Sequence, residues 1–380
     1  MKQHRLEGHV VRMAMTAMCA AVAIGAIARD TPDNRVLKDV FKDYFLIGAA
    51  LNRGQFFEQD FRSATLVKKH FNTITPENVL KWEVVHPKPD TYDFTASDRF
   101  VEFGQKNNMF VVGHTLVWHN QTPKWVFEGE GGKPVDKETL LKRMRDHIQT
   151  VVGRYKGRIK GWDVVNEAVV DDGSLKPSAW MKIVGEEYLV RAFQYAHEAD
   201  PDVELYYNDF SAENAPKRNG VIRLVKMLQE NGINVAGIGM QGHYKMDWPS
   251  PGQVDSTIRE FSALGVKVMI TEMDIDVLPQ PDWSQSAEVS RRFRYNDLLD
   301  PYKSGLPRER QEELANRYAE LFRVFVRNHD RMSRVTFWGV EDGNSWLNKF
   351  PIAGRTSYPL LFDRDGKPKP AFDAVVKTVL

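Results

Sequence analysis

Two glutamates, each standing where an apolar run stops, are the residues of this chain best suited to chemistry. Glu167 lies in KGWDVVNEAV, Lys160 to Val169, where Val164 and Val165 give way abruptly to Asn166 and Glu167. Glu272 lies in KVMITEMDID, Lys267 to Asp276, where Val268 to Ile270 run into Glu272, Asp274 and Asp276. A carboxylate at the end of a buried strand is costly to desolvate, and a single one can be a satisfied structural group. Two with the same pattern, far apart in sequence, suggest paired carboxylates facing one another across a cleft, the equipment of glycoside hydrolysis.

The elements that must position them form a regular series. Apolar runs predict strands at Leu46 to Leu51, Phe71 to Thr75, Phe110 to Val117, Ile159 to Val165, Val203 to Tyr207, Val235 to Gln241, Val266 to Thr271 and Arg334 to Val340. Between them lie helical stripes: Val221, Leu224, Val225 and Leu228 in one, and Leu141, Met144, Ile148, Val151 and Val152 in another. Thr95 with Asp98 has the spacing of a capping box, and Gly232 stands where a helix should stop. Strict alternation of eight strands with helices predicts an α/β fold, a single-domain (β/α)₈ TIM barrel with its active site at the C-terminal strand ends. The longest connection, Leu278 to Pro307, is rich in Asp, Ser, Arg and Pro and reads as an excursion over the mouth or flank.

In a barrel the strand ends converge on one basin, so they can be read together. They bring Asn52; Glu77, Asn78 and Lys81; His114, Trp118 and Gln121; Asn166 and Glu167; Tyr207 and Asn208; Gln241 and His243; Glu272 and Asp274; and Trp338 with Trp346. Amides and charges suit sugar hydroxyls, and indoles suit the flat faces of sugar rings. Strand alternation puts Gln241 and His243 on one face and Glu272 and Asp274 on one face, so His243 can lie between the two acids and keep Glu272 ionised. Glu167 is the better proton donor, because partial desolvation raises a carboxyl pKa toward neutrality. Simple alternation would point Asn166 and Glu167 to opposite faces, so a bulge or twist is needed there to present both.

Composition is consistent with a neutral substrate. The chain has 380 residues, 42% hydrophobic and 11% aromatic, with a formal net charge of +1. It is long enough for one large core, and no charge excess favours nucleic acid or an anionic membrane. At the N-terminus, Lys2, Arg5 and Arg12 precede an apolar run from Met13 to Ala28 that closes on Ala26-Ile27-Ala28. This reads as a secretory signal peptide over residues 1–28, with a catalytic barrel over 29–380 and a secreted product, extracellular or periplasmic. The only cysteine, Cys19, lies inside that run, so a mature form has no disulfide.

A set of motifs carries a family resemblance. TPENVLKWE (Thr75 to Glu83), GHTLVWHNQTP (Gly113 to Pro123), WDVVNEA (Trp162 to Ala168), YYND (Tyr206 to Asp209), MQGHY (Met240 to Tyr244), ITEMD (Ile270 to Asp274) and FWGVEDGNSW (Phe337 to Trp346) occur in order. Together they resemble the barrel motifs of glycoside hydrolase family 10, the endo-β-1,4-xylanases, from about Leu46 to the C-terminus. The resemblance implies a retaining double displacement on xylan and xylo-oligosaccharides by a monomer without cofactor or metal. It implies Glu167 as acid/base and Glu272 as nucleophile, with carboxyls about 5–5.5 Å apart. It further implies Asn166 on the sugar 2-hydroxyl, and Gln241, His243 and Asp274 as the network orienting Glu272. Glu77, Asn78, Lys81, His114, Trp118 and Gln121 resemble glycone contacts, and Tyr207 with Asn208 lies on the aglycone side. Trp338 and Trp346 resemble the indoles that crowd the first glycone subsites and disfavour a hydroxymethyl group at C5.

Three other readings differ from this one in testable ways. A metal-dependent barrel hydrolase would use His114, His119, His243 and Asp274 as ligands, but strand one ends in Ala50-Leu51-Asn52 with no paired histidines. A non-catalytic sugar-binding barrel has little use for both glutamates and their supporting His and Asp. The nearer rival is an endo-β-1,4-glucanase or mixed β-1,4-glycanase, which runs the same chemistry in a differently shaped glycone pocket.

Overall fold

Eight parallel strands are found where the apolar runs predict them, with a short ninth that those runs do not predict, in the computed structural model, which describes Met1, residues 35–280 and residues 292–380. The expected leader, beyond Met1, and part of the 278–307 excursion lie outside the described residues. The strands are β1 Leu46–Leu51, β2 Thr73–Pro76, β3 Phe110–Val117, β4 Gly161–Asn166, β5 Glu204–Asp209, β6 Gly237–Met240, β7 His243–Lys245, β8 Lys267–Asp276 and β9 Met332–Phe337. Each of β1 to β5 pairs with the next, β6 pairs with β8, β8 with β9, and β9 with β1, so eight strands close into a barrel. The ninth, β7, is a short continuation of the path of β6 and pairs with β8 beyond the barrel rim.

That interruption has a local cause. Gly242 sits at φ +85° between β6 and β7, and a Cβ there would come within 2.7 Å of Ile270 Cγ2. Glycine alone makes this kink without strain. Its effect is to aim Gln241 and His243, two residues apart, at different acids.

The helices pack outside, and their apolar stripes face inward as the periodicity requires. Val221, Leu224, Val225 and Leu228 are buried from the helix Ala215–Glu230, and Met144, Ile148, Val151 and Val152 from Lys137–Arg154. Each such side chain contributes about 1.5–3 kcal/mol by leaving water. In the second stripe Leu140 is buried and Leu141 only half-buried. The helix Ala215–Glu230 does stop before Gly232, which has φ +77°. The expected capping box at Thr95 does not form. Asp93 accepts from the Thr95 N–H at 2.9 Å instead, and Asp98 is drawn to Arg154 and Tyr155 of the neighbouring helix. Arg35–Leu380 is one compact unit. Among the described residues, no helix is long and apolar enough to cross a membrane.

Candidate active site

The polar strand ends meet in a cleft of about 470 Å³ at the C-terminal rim of the barrel. Glu77, Asn78, Lys81, His114, Trp118, Gln121, Asn166, Glu167, Gln241, His243, Glu272, Trp338 and Trp346 all line it. Glu167 and Glu272 are 4% and 5% exposed, so both carboxyls are largely stripped of water and face one cavity.

Glu272 is held as an anion. Its Oε1 accepts from Asn208 Nδ2 at 2.8 Å, and its Oε2 lies 3.3 Å from His243 Nε2. The other His243 nitrogen, Nδ1, is 3.1 Å from Asp274 Oδ1, and Asp274 Oδ2 accepts from Trp346 Nε1 at 2.6 Å. Burial opposes a charge on His243, but the Asp274 and Glu272 carboxylates outweigh it and push its pKa up to about 10. Burial alone would likewise raise the Glu272 pKa. The His243 bond, the nearby His114 and the Asn208 amide together hold it below the usual carboxylate value.

Glu167 has the opposite balance. Desolvation raises its pKa, only partly opposed by His119 and by donated hydrogen bonds. Those bonds come from Trp118 Nε1 at 2.8 Å and Gln241 Nε2 at 3.0 Å, with Asn166 Nδ2 at 3.3 Å. The need for a twist after strand four is met at one residue: Glu167 itself adopts φ +59°. Asn166 closes β4 opposite Asn208 of β5. Its Oδ1 accepts from Asn208 Nδ2 at 2.9 Å and lies 3.4 Å from Gln241 Nε2. A chain of three amides, Asn208, Asn166 and Gln241, therefore connects one glutamate to the other. Gly239 makes room for it, since a Cβ at that position would come within 2.3 Å of Asn208 Oδ1.

One wall of the cleft is a lattice of hydrogen bonds. Lys81 Nζ donates to Asn78 Oδ1 at 3.1 Å and to Gln121 Oε1 at 2.8 Å, and it sits 4.9 Å from the Trp118 ring centroid. Gln121 Nε2 donates to Glu83 Oε1 at 2.8 Å. The loop is anchored from below by Trp82, which is buried and stacked on His147 at 3.7 Å. Desolvation lifts the Glu77 carboxyl to about 7 despite Lys81, so near neutrality it can offer a sugar hydroxyl either a donor or an acceptor.

Several expectations need correction. Tyr207 and Asn208 do not contact the cleft on the aglycone side, because both are fully buried. The Tyr207 hydroxyl accepts from the Ala168 N–H at 3.0 Å, and the Asn208 amide is occupied by Glu272 and Asn166. The Gln241 side chain serves Glu167 rather than Glu272; only its backbone carbonyl meets Glu272, accepting the N–H at 2.6 Å. Asn52 is not among the residues lining the cleft. It precedes the helix Arg53–Phe56, with its N–H donating to Gln55 Oε1 at 2.9 Å.

Arg292 and Phe350 line the cleft although sequence reading did not single them out. Phe350 stacks on Trp346 at 4.7 Å, and the Arg292 guanidinium lies 4.9 Å from the Phe350 centroid. The four-residue spacing from Trp346 to Phe350 was the available signal for the first. Arg292 belongs to the excursion, whose described part packs along the 348–358 segment: Phe293 N–H donates to the Pro351 carbonyl at 3.0 Å, and Thr356 N–H to Asp300 Oδ1 at 3.1 Å.

Replacing His243 by alanine is expected to lower kcat on the order of tenfold to hundredfold without abolishing it, the effect of losing one charge-assisted hydrogen bond. A pH–rate profile checks this, and wild-type turnover at every pH would remove His243 from the network.

A closed barrel with two buried carboxyls of opposite proton affinity in one strand-end cleft is the architecture of a glycoside hydrolase. The chain belongs to glycosyl hydrolase family 10, whose model matches residues 36–378. It is 42% identical over 363 residues to endo-1,4-beta-xylanase A of Xylanibacter ruminicola, covering 96% of this chain and 98% of that one. It is 44% identical over 343 residues to a beta-1,4-xylanase of Dictyoglomus thermophilum, covering 90% of each. Among solved structures, a GH10 endoxylanase from a sugarcane soil metagenome aligns at a TM-score of 0.87 with 46% identity, over 90% of this chain and 99% of that one. Xylanase XynB of Paenibacillus barcinonensis aligns at 0.81 with 38% identity, over 92% and 99%.

Proposed function

We propose that this protein is an endo-1,4-β-xylanase that cleaves internal β-1,4-xylosidic bonds with retention, using Glu272 as nucleophile and Glu167 as acid/base. The observation that carries the reading is the opposed state of the two carboxyls: Glu272 held low by His243, His114 and Asn208, Glu167 held high by desolvation. Two carboxyls in one site with separated proton affinities are the acid and nucleophile assignments of this chemistry. The names of the relatives support xylan as the polymer.

In the first step a Glu272 oxygen attacks the anomeric carbon, the bond from that carbon to the leaving oxygen breaks, and the Glu167 proton passes to the leaving oxygen. In the second, water attacks the anomeric carbon, Glu167 takes its proton, and the ester to Glu272 breaks. The carboxyls are expected about 5–5.5 Å apart, as retention requires. Trp338 and Trp346 crowd the space that a C5 hydroxymethyl group would need, which favours xylose over glucose. With a leader over residues 1–28, the enzyme acts outside the cytoplasm as a monomer.

The test is reducing-end release from glucuronoxylan and carboxymethyl cellulose side by side, with Glu272→Ala as the blank. Rapid cutting of xylan with little on cellulose is the expected result. Comparable cutting of cellulose would mean that the two indoles do not exclude the hydroxymethyl group, and the assignment would widen to β-1,4-glycans.

The pH dependence follows with defined signs. kcat/KM should fall on the acid side as Glu272 is protonated, at a pH below the usual carboxyl value, and on the alkaline side as Glu167 ionises, at a pH above it. With an activated aryl xylobioside, whose departure needs no proton, the alkaline limb should vanish in Glu167→Gln while the acid limb remains. Persistence of both limbs would assign the alkaline one to another group.

A further inference from the structure

The turn that carries Glu167 is gripped by groups that face away from the cleft. A side-chain-bearing residue keeps the left-handed conformation seen at Glu167 only where its surroundings over-determine it. Three successive N–H groups do so here, and all three donate to β5. Glu167 N–H donates to the Asn208 carbonyl at 2.9 Å, Ala168 N–H to the Tyr207 hydroxyl oxygen at 3.0 Å, and Val169 N–H to Asp209 Oδ2 at 3.4 Å. The Tyr207 hydroxyl donates in turn to Asp209 Oδ2.

The other Asp209 oxygen is equally committed. Oδ1 accepts from the Phe210 N–H at 2.9 Å and lies 2.9 Å from Lys217 Nζ, whose ammonium sits 3.5 Å from the Phe210 ring centroid. The side chains of Asp209 and Lys217 are 1% and 0% exposed. Tyr207, Asp209 and Lys217 are not among the residues lining the cleft. A buried ion pair is a poor stabiliser compared with apolar packing of the same volume. What this one supplies is a carboxyl acceptor held at a fixed point beneath the turn.

We infer that Asp209, paired with Lys217 and acting through Tyr207, is a positioning residue that sets the aim of the Glu167 carboxyl toward the leaving oxygen. The inference rests on the reading of Glu167 as acid/base. Misaiming an acid matters only when the departing group needs a proton, and small misplacements of a catalytic group are costly. A role confined to stability has no such dependence on the leaving group.

The experiment measures kcat/KM on phenyl and 2,4-dinitrophenyl β-xylobiosides for Tyr207→Phe, for the double variant Asp209→Asn with Lys217→Met, and for Glu167→Ala. Tyr207→Phe keeps the ion pair and removes the hydroxyl that accepts from the Ala168 N–H and donates to Asp209. The double variant removes both charges, so neither is left buried alone. For both, the phenyl substrate should lose on the order of tenfold or more while the dinitrophenyl substrate changes by less than about threefold. Equal losses on the two substrates in Tyr207→Phe, or none on either, would overturn the positioning role. If Glu167→Ala itself fails to discriminate between the leaving groups, the acid assignment falls instead. Tyr207→Phe alone decides the matter should the double variant not fold.

Discussion

Replacing Glu272 by alanine should abolish turnover of every substrate, whatever its leaving group. The carboxylate receives an Asn208 N–H on one oxygen and faces His243 on the other, and no second acid among the described residues is held in that state within the cleft. Without it the anomeric carbon has no internal nucleophile, and both chemical steps lose their intermediate. The loss should be on the order of 10⁵-fold or more in kcat, the scale that accompanies removal of a covalent nucleophile. Initial rates on xylan and on a dinitrophenyl xylobioside check it. Wild-type-like rates on the activated substrate would move the nucleophile elsewhere. The variant should still fold, because alanine removes a buried charge rather than core packing.

Replacing Glu167 by alanine should divide substrates by leaving group. Natural xylan departs as a poorly acidic sugar hydroxyl and needs the proton, so a loss of about 10²–10⁴-fold in kcat/KM is expected there. A dinitrophenyl aglycone departs unaided, so its first step should be nearly intact. The second step still needs a base to activate water, and it should become rate-limiting, with a burst of dinitrophenolate followed by slow turnover. A small anion such as azide, which fits the space left by the carboxyl and needs no deprotonation, should restore the slow step and yield a β-xylobiosyl azide from the xylobioside. Equal losses on both substrates would remove the acid role.

Much of this arrangement is legible in the chain. Apolar runs ending in polar residues mark the strands and their functional ends, because a parallel barrel strand is buried on both faces except at its rim. Alternation also places His243 between Glu272 and Asp274, since β7 and β8 pair in register there. What the sequence does not reveal is set by departures from regularity. The kink at Gly242 turns Gln241 toward Glu167, and alternation counted through β6 cannot detect a change of direction at one glycine. Tyr207 and Asn208 look like strand-end contacts, but β5 presses against the turn after β4 and its last side chains are consumed there. The capping expectation at Thr95 failed for a related reason: Asp98 is drawn away by Arg154, a partner 56 residues distant. Arg292 lies in a stretch without periodicity, so nothing local tied it to the cleft.

The amide chain through Asn208, Asn166 and Gln241 has a consequence for titration. Each amide is polarised by the carboxyl it touches and passes that polarisation to its neighbour, so the proton on one glutamate is felt by the other. The acid limb assigned to Glu272 and the alkaline limb assigned to Glu167 should then be coupled, so that a change in the amide chain shifts both. Replacing Asn166 by alanine, which breaks the chain, should shift both limbs of the profile.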